Sequence, residues 1–286
     1  EVDPRILLYG EGWDMGTGLR PEDKAKKDNA YQLPRIGFFN DTERDAVKGA
    51  EVYGGIKAGF VSGQATEDIV AKSILGSSEL GSYLSPDQVL NYVEAHDNFN
   101  LHDLLAELHP DDDVLTRTKR IELATAMNLL MQGMAFMEVG QEFSRTKLVA
   151  TGEDDQVLHS DRERAINSYN APDAVNQVNW DILQDHQESI DFIKDIIRLK
   201  TSCKAFSYQT YEDIYKHVFV QSAEQGSGLI IFEIKDDKHY QVIFNASGLP
   251  YYLPNADKLC LVVGNSRHKK PFYVENLTVS VFEVIQ

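Results

Sequence analysis

Short apolar runs alternate with helical patterns over the first two hundred residues, and this alternation is the feature that most restricts the fold. The apolar runs cover residues 5–9, 35–39, 89–93 and 134–139. The helical patterns cover residues 42–48, 66–75, 112–131 and 187–200. Apolar runs of this length between helical stretches are typical of buried strands. The alternation therefore predicts parallel β/α units, because parallel strands need a long crossover between them.

The pattern changes after Lys204, where predicted strands follow one another without a helical pattern. These strands cover residues 211–220, 228–235, 239–245, 258–263 and 278–285. Turn residues separate them, for example at residues 235–238 and 246–248. This arrangement predicts a small antiparallel β-sandwich. No flexible linker lies near residue 203, so we expect an α/β part (residues 1–203) and an all-β part (residues 204–286) that pack together.

The charge of the chain excludes several classes of partner. Its formal net charge is -17 at pH 7, and such a surface repels nucleic acid and anionic membranes. Neutral partners such as sugars are compatible with it, although solubility explains the charge more simply than steering of a ligand does. No apolar stretch reaches the roughly 18 to 20 residues that span a bilayer, so we expect no membrane partner.

Cysteine and acidic residues give little reason to expect a metal or a cofactor. Cys203 and Cys260 both lie in apolar contexts and are too few for a disulfide scaffold or a zinc site. Two buried thiols are favoured over one disulfide between them. The acidic residues 111–113 are favoured as the start of a helix over a calcium site. We therefore predict no metal and no cofactor.

The first apolar run delivers a carboxylate between two glycines. Residues 9–13 read Tyr-Gly-Glu-Gly-Trp, which places Glu11 directly after a predicted strand. A carboxyl group at the rim of a sheet can act as a general acid. The simpler interpretation is an ordinary strand-end Glu in a glycine turn. Trp13 beside it offers a flat apolar face on which a sugar ring could stack, although core packing explains a single Trp equally well.

The third apolar run delivers a second polar group, in residues 92–98, which read Tyr-Val-Glu-Ala-His-Asp-Asn. Asp97 can stabilise positive charge near an anomeric carbon, and His96 can hydrogen-bond sugar hydroxyls. Alternatively, Asp97 or Asn98 caps a helix over residues 99–108. Both this segment and Glu11 follow strands of the same predicted sheet, where barrel enzymes carry their catalytic groups. A site for glycoside hydrolysis explains both segments at once, whereas the alternatives need two independent coincidences. The pair therefore favours a glycoside hydrolase.

The residue order of these two segments resembles that of signature regions of the α-amylase superfamily, glycoside hydrolase family 13, and most closely those of type I pullulanases. Residues 38–49 are similar to the strand-six segment of pullulanases and related debranching enzymes, and residues 140–143 to the strand-eight end of the superfamily. Residues 167–177 resemble the pullulanase loop that lines the glucose-binding subsites. By this resemblance, Tyr169, Asn170 and Asp173 are expected substrate contacts. The alternative for this loop is a turn held by its own Asn and Asp side chains.

The resemblance implies the C-terminal half, strands 5 to 8, of a TIM (β/α)8 barrel, followed by the β-sandwich. It implies a retaining hydrolase of α-1,6-glucosidic linkages in pullulan, starch or glycogen, with Glu11 as acid/base and Asp97 as transition-state stabiliser. His96 would be the hydroxyl-binding partner in this scheme. The family's nucleophilic Asp ends strand four, and no Asp here matches it. We therefore expect a piece of a longer enzyme that is inactive alone.

Two further expectations follow, and two alternatives remain open. A half barrel leaves an apolar strand edge, so we predict self-association that covers the first strand. The partner is expected to be an α-glucan polysaccharide or oligosaccharide. An isoamylase- or amylase-like hydrolase would use the same residues on another linkage, and a carbohydrate-binding or assembly module would use them without turnover. The sequence does not distinguish a cytoplasmic from a secreted protein.

Overall fold

A four-stranded parallel sheet forms the centre of the first part of the chain. The computed structural model describes Asp3 and residues 6–52, 55–266 and 272–285, without the side chain of Val52. The strands are β1 (Leu8–Gly10), β2 (Ile36–Phe39), β5 (Val89–Asn91) and β6 (Met134–Ala135), in that spatial order. Tyr9 pairs with Gly37, and Phe39 pairs with Leu90. Because all neighbours are parallel, the chain leaves every strand at the same edge of the sheet.

Eight α-helices lie in the described ranges. They are α1 (Asp41–Val47), α2 (Glu67–Ile74), α3 (Leu101–Leu108), α4 (Val114–Leu130), α5 (His159–Ile166), α6 (Asp173–Asn176), α7 (Gln187–Ser202) and α8 (Tyr211–His217). The helices predicted over residues 42–48, 66–75, 112–131 and 187–200 are confirmed within two residues at each end. Asp113 caps α4 by accepting from the Thr116 N–H at 2.7 Å, as expected of an acidic helix start. Every helix in these ranges falls short of the length and apolarity that a membrane crossing needs.

An antiparallel hairpin follows α1 and was not predicted. Its strands are β3 (Gly49–Val52) and β4 (Gly55–Ala58). Gly49 has φ +115°, and a Cβ there would lie 2.2 Å from the Lys57 carbonyl oxygen. Only glycine tolerates this close approach. The hairpin matters because it carries Glu51 to the site described below.

The second part of the chain forms an antiparallel sheet. Its strands are β7 (Val218–Ser222), β8 (Leu229–Lys235), β9 (His239–Asn245), β11 (Leu259–Gly264) and β13 (Thr278–Val284), in the spatial order β11-β13-β9-β8-β7. A two-stranded sheet of β10 (Tyr251–Tyr252) and β12 (Tyr273–Val274) packs over one face. Between the two sheets lies a small apolar cluster of Ile231, Ile243, Leu253, Val274 and Phe282.

One apolar core continues from the parallel part into the antiparallel part. Buried side chains of α4 and α7 belong to the same cluster as those of β8, β9 and β13. A charged group reinforces this contact, since the buried Glu67 at the start of α2 accepts from the Gly226 and Gly228 N–H groups at 3.1 and 2.8 Å. The expectation that the two parts pack together is confirmed.

Several sequence predictions are wrong in detail. Residues 211–217 form α8 rather than the start of a strand, since Thr210 caps a helical turn by accepting from the Asp213 N–H at 3.1 Å. The first apolar run is not buried, because β1 is an edge strand and Leu7 is 70% exposed. Its predicted first residue, Arg5, lies outside the described residues. Cys203 and Cys260 are free thiols, and neither is buried as predicted, since Cys203 is partly exposed and Cys260 is exposed.

Candidate active site

A cavity of about 520 Å³ opens at the edge where the parallel strands end. Glu11 and Trp13 enter it from the end of β1, and His96 and Asp97 enter it from the segment after β5. The cavity therefore brings together four of the seven residues that the sequence singled out. A volume of this size accommodates a small ligand.

Gly12 fixes the turn that presents Glu11 and Trp13. It has φ +71°, and a Cβ there would lie 2.5 Å from the Phe38 ring. Its carbonyl oxygen accepts from the Lys27 N–H at 2.9 Å. Gly10 has no such restriction, since nothing lies within 4 Å of an added Cβ there.

Lys27 supports the exposed ring of Trp13 from one side. Its Nζ lies 4.0 Å from the ring centroid and pairs with the Asp41 carboxylate. Burial, with a smaller contribution from Arg44, lowers the pKa of Lys27 to about 8. A cation over an indole face restricts the ring orientation, so the other face of Trp13 is left for a ligand.

His96 and Asp97 are exposed side chains that contact each other, with His96 Nε2 3.3 Å from Asp97 Oδ1. The helix-cap alternative for Asp97 is wrong. Asn100 precedes α3 and makes no side-chain cap bond, while the first N–H of the helix, that of Leu101, donates to Glu94 Oε2 at 2.7 Å. Asp97 is therefore free to face a ligand.

Three aromatic rings form the floor of the cavity between the two acidic segments. Phe39 packs edge-on against Tyr92 and Phe136, with ring centroids 4.9 and 5.2 Å apart, and against Tyr9 at 5.9 Å. Edge-to-face packing locks each ring in place. This apolar floor with charged walls suits a sugar ring, whose C–H face is apolar and whose edge carries hydroxyls.

Arg44 adds a fixed positive charge to the cavity wall. Its guanidinium donates to the Tyr92 hydroxyl at 2.7 Å and to Asp45 Oδ1 at 2.7 Å. Burial raises the pKa of Tyr92 to about 12, so the phenol stays neutral and accepts the hydrogen bond from Arg44 without becoming an anion. The guanidinium orients the phenol at the base of the site.

Two buried glutamates lie beneath the floor. Glu43 accepts from the Tyr92 N–H at 3.2 Å, and burial raises its pKa to about 8. Burial, followed by repulsion from Glu138, raises the pKa of Glu94 to about 8. Both groups are therefore largely protonated at pH 7. They position the backbone around residues 92–101 and do not add negative charge to the cavity.

The segment from His96 to Phe99 is anchored by buried charged side chains that sequence reasoning missed. Lys147 Nζ donates to the carbonyl oxygens of His96 and Asn98 at 2.6 and 2.7 Å. Lys48 Nζ donates to the Phe99 carbonyl, and Glu51 Oε1 accepts from the Phe99 N–H at 2.9 Å. Since these residues lie about fifty positions from the segment, no local pattern indicated them.

The loop expected to contact substrate adjoins the cavity only at its start. Asn167 lines the cavity and forms an antiparallel bridge with Asp97. Tyr169, Asn170 and Asp173 are exposed and are not among the residues that line the cavity. Asn176 Nδ2 holds the loop by donating to the carbonyl oxygens at positions 168 and 171, as in the turn interpretation of this segment.

A metal centre is not found in the described residues, where no three His, Cys, Asp or Glu side chains are grouped to hold an ion. The chemistry available in the cavity is that of carboxylates, an imidazole and hydrogen-bond donors.

No family model matches the chain, but individual proteins do. The pullulanase of Bacillus subtilis (strain 168) is 38% identical over 224 residues, which cover 76% of this chain and 29% of that protein. A crystal structure of pullulanase from Anoxybacillus sp. LM18-11, complexed with maltotetraose, superposes with a TM-score of 0.85 at 32% identity. The chain belongs to the pullulanase family.

The pullulanase resemblance extends over the whole described fold but over only part of the relatives. The Anoxybacillus match covers 99% of this chain and 40% of that one. A crystal structure of type I pullulanase from Bacillus subtilis complexed with maltose gives a TM-score of 0.81, 31% identity and the same coverage. The chain thus spans less than half the length of these pullulanases.

Proposed function

We propose that this chain is part of a debranching glycoside hydrolase that cleaves α-1,6-glucosidic linkages in pullulan, starch or glycogen with retention. The observation that carries the proposal is the convergence of Glu11 and Asp97 on one cavity at the carboxyl edge of a parallel sheet. The 38% identity to the Bacillus subtilis pullulanase, over 76% of this chain, supports it.

Glu11 is proposed as the acid/base. It is exposed at the cavity wall, so it can reach a glycosidic oxygen, protonate it as the leaving group departs, and then accept a proton from water. Trp13 stands two residues away and would stack on a sugar ring. These positions are consistent with proton transfer at one end of a bound glucan.

Asp97 is proposed as the transition-state stabiliser and His96 as a hydroxyl-binding residue. Their 3.3 Å contact places a carboxyl group and a hydrogen-bonding ring side by side. The carboxyl group would stabilise the positive charge that develops on the oxocarbenium-like transition state. Tyr169, Asn170 and Asp173 are proposed to contact substrate that extends beyond the cavity. Their loop lies beside the cavity because Asn167 at its start is bridged to Asp97.

The architecture we propose is the C-terminal half of a (β/α)8 barrel over residues 1–203 and an antiparallel β-sandwich over residues 204–286. Four parallel strands in sequential order, with helices in the connections, support the first assignment. The five-stranded and two-stranded sheets with apolar side chains between them support the second.

Two properties of the isolated chain are also proposed. It should not turn over substrate, because a retaining mechanism needs a nucleophilic carboxylate about 5 to 5.5 Å from the acid, and the family places that Asp on strand four. It should self-associate through β1, whose outer side has no strand partner among the described residues. Light scattering that shows only monomer at high concentration would contradict the second property.

The test replaces Glu11 by Gln in the full-length product of the gene and measures maltotriose released from pullulan. Loss of the acid/base should lower turnover by about 10² to 10⁴-fold while maltotetraose binding persists. Glu79→Gln, an exposed carboxylate away from the cavity, is the matched control. Undiminished turnover in Glu11→Gln would refute the assignment. A wild-type protein that binds glucan without hydrolysing pullulan would indicate the binding-module alternative.

A further inference from the structure

We propose that Lys147, Lys48 and Glu51 are positioning residues, a polar clamp that fixes the backbone of residues 96–99 and thereby aims Asp97 and His96 into the cavity. This inference rests on the proposed function, since it concerns how that site is held. It assigns a role to three side chains that do not touch the reacting atoms and were not among the site residues predicted from the sequence.

The first observation is that the clamp holds the segment on both sides of Asp97. Lys147 Nζ bonds the carbonyl oxygens of His96 and Asn98, the two neighbours of Asp97 in the chain. A single ammonium group thus holds the peptide between His96 and Asp97 and the peptide between Asn98 and Phe99. Bonds to a charged donor are about twice as strong as neutral ones, so Lys147 restrains Asp97 together with its bridge to Asn167.

The second observation is that the segment turns at Asn98 and is held on the far side of that turn. Asn98 has φ +66°, a left-handed conformation that Asn adopts more readily than most other non-glycine residues. The next residue, Phe99, is held at both polar groups, with its N–H on Glu51 Oε1 and its carbonyl on Lys48 Nζ. The two clamp residues pair with each other at 3.6 Å, so they act as one unit.

The third observation is burial. Lys147 is fully buried and Lys48 is 1% exposed. Burial of an ammonium group is costly unless it is compensated, and apolar side chains of similar length would fill these sites with less cost. The side chain of Glu51 is 8% exposed and lines the cavity. Three buried charged side chains therefore bond one short backbone segment. This indicates that their role is to hold the conformation of that segment.

The carboxylate of Asp103 completes the support of Lys147. Its Oδ2 accepts from the Lys147 N–H at 2.8 Å, and its Oδ1 accepts from the Thr146 hydroxyl. This fixes the main chain from which Lys147 reaches the segment, and the negative charge offsets part of the buried ammonium.

The experiment compares Lys147→Met with wild type in two readouts. In this chain, amide hydrogen exchange of Asn98 and Phe99 should accelerate about 10- to 100-fold, from the loss of two charge-assisted bonds, while exchange in α7 is unchanged. In the full-length gene product, kcat on pullulan should fall on the order of 10²-fold with a smaller change in KM. Lys194→Met, an exposed lysine on α7, is the matched control.

A second pair of variants keeps the test decisive where Lys147→Met fails to fold. Glu51→Gln retains an oxygen that can accept from the Phe99 N–H, whereas Glu51→Ala leaves that donor unpaired. The inference predicts that Glu51→Gln recovers part of the exchange protection and kcat that Glu51→Ala loses. Equal loss in both variants would overturn it.

The outcomes separate the clamp from the proposed function. Faster local exchange together with lower kcat supports the clamp. Unchanged exchange at Asn98 and Phe99, or faster exchange with unchanged kcat, overturns it and leaves the hydrolase assignment intact. A wild-type gene product that leaves pullulan intact refutes the proposed function, and the exchange measurement on this chain then still decides whether the clamp fixes the segment.

Discussion

Replacing Glu94 by Gln should make the protein more stable, by an amount that grows with pH. Glu94 is 1% exposed and makes one hydrogen bond, from the Leu101 N–H to Oε2, and its Oε1 has no partner among the described residues. An ionised carboxylate in such a place lacks the donors that water would provide. Glutamine keeps an acceptor for Leu101 and cannot ionise.

The magnitude follows from the pKa. Burial, with repulsion from Glu138, raises the pKa of Glu94 from 4.5 to about 8 in the folded state. Between these values the folded protein holds a proton that the unfolded chain has released, so stability is full below pH 4.5 and falls as pH rises toward 8. One pKa unit corresponds to 1.36 kcal/mol. The loss is therefore about 3 kcal/mol at pH 7 and about 5 kcal/mol above pH 8.

The assay is urea unfolding of wild type and Glu94→Gln from pH 4.5 to pH 9. The difference between the two free energies of unfolding isolates Glu94. This matters because Lys200 acts in the opposite direction: burial lowers its pKa to about 7, so its contribution to stability rises as pH increases from 7 to about 10.5. That contribution is common to both proteins and cancels in the difference.

Two further variants serve as a parallel test and a control. Glu43→Gln should reproduce the effect, since burial raises the pKa of Glu43 to about 8 as well. Glu79→Gln removes an exposed carboxylate and should give a difference independent of pH. A Glu94→Gln difference that stays flat across the range, or a variant less stable than wild type at pH 8, would refute the reasoning.

Two other substitutions test how the fold is held together. Glu67→Ala removes the acceptor of two backbone N–H groups in the turn between β7 and β8 and should lower the free energy of unfolding by about 3 kcal/mol. Glu67→Gln keeps an oxygen acceptor but loses the charge, so it should lose less than Glu67→Ala, and a Glu67→Gln variant as stable as wild type would contradict the charge-assisted bonding. Asn40→Ala removes buried bonds of 2.9 Å to the side chains of Ser77 and Asn91 and should cost about 2 to 3 kcal/mol. Unchanged urea midpoints would contradict a structural role for this amide.

The sequence predicted four of the eight α-helices in the described ranges, and it found the two longest, α4 and α7, because their apolar faces are long. In α7, Phe192, Ile193 and Ile196 recur at helical spacing and are buried, so periodicity alone identified the helix. The short helix α8 was predicted as a strand since Tyr211 and Tyr215 favour strands. The cap formed by Thr210 with Asp213 three residues later was a helix-start signal that outweighs this preference.

The cavity positions of two candidate residues could be predicted because they lie in short segments at strand ends. Glu11 and Asp97 each follow an apolar run, and this pattern together with the resemblance to pullulanases singled them out. Glu51 could not be predicted, because it reaches the cavity through a hairpin that depends on the close approach of Gly49 to Lys57. Lys147 could not be predicted because its bonds join positions 49 and 51 residues apart. Such contacts follow from the assembled fold and not from local sequence.

The two carboxylates of the site differ in how they are supported, and this difference has a consequence for the isolated chain. Asp97 follows β5, which is paired on both sides, and its neighbours are held by Lys147. Glu11 follows β1, which pairs only with β2 among the described residues, beside exposed apolar side chains such as Leu7. A surface that covered that edge would therefore also fix Glu11, whereas Asp97 is held by the described fold itself. The proposed sugar recognition by Asp97 and His96 should accordingly depend less on a covering surface than the proposed proton transfer by Glu11.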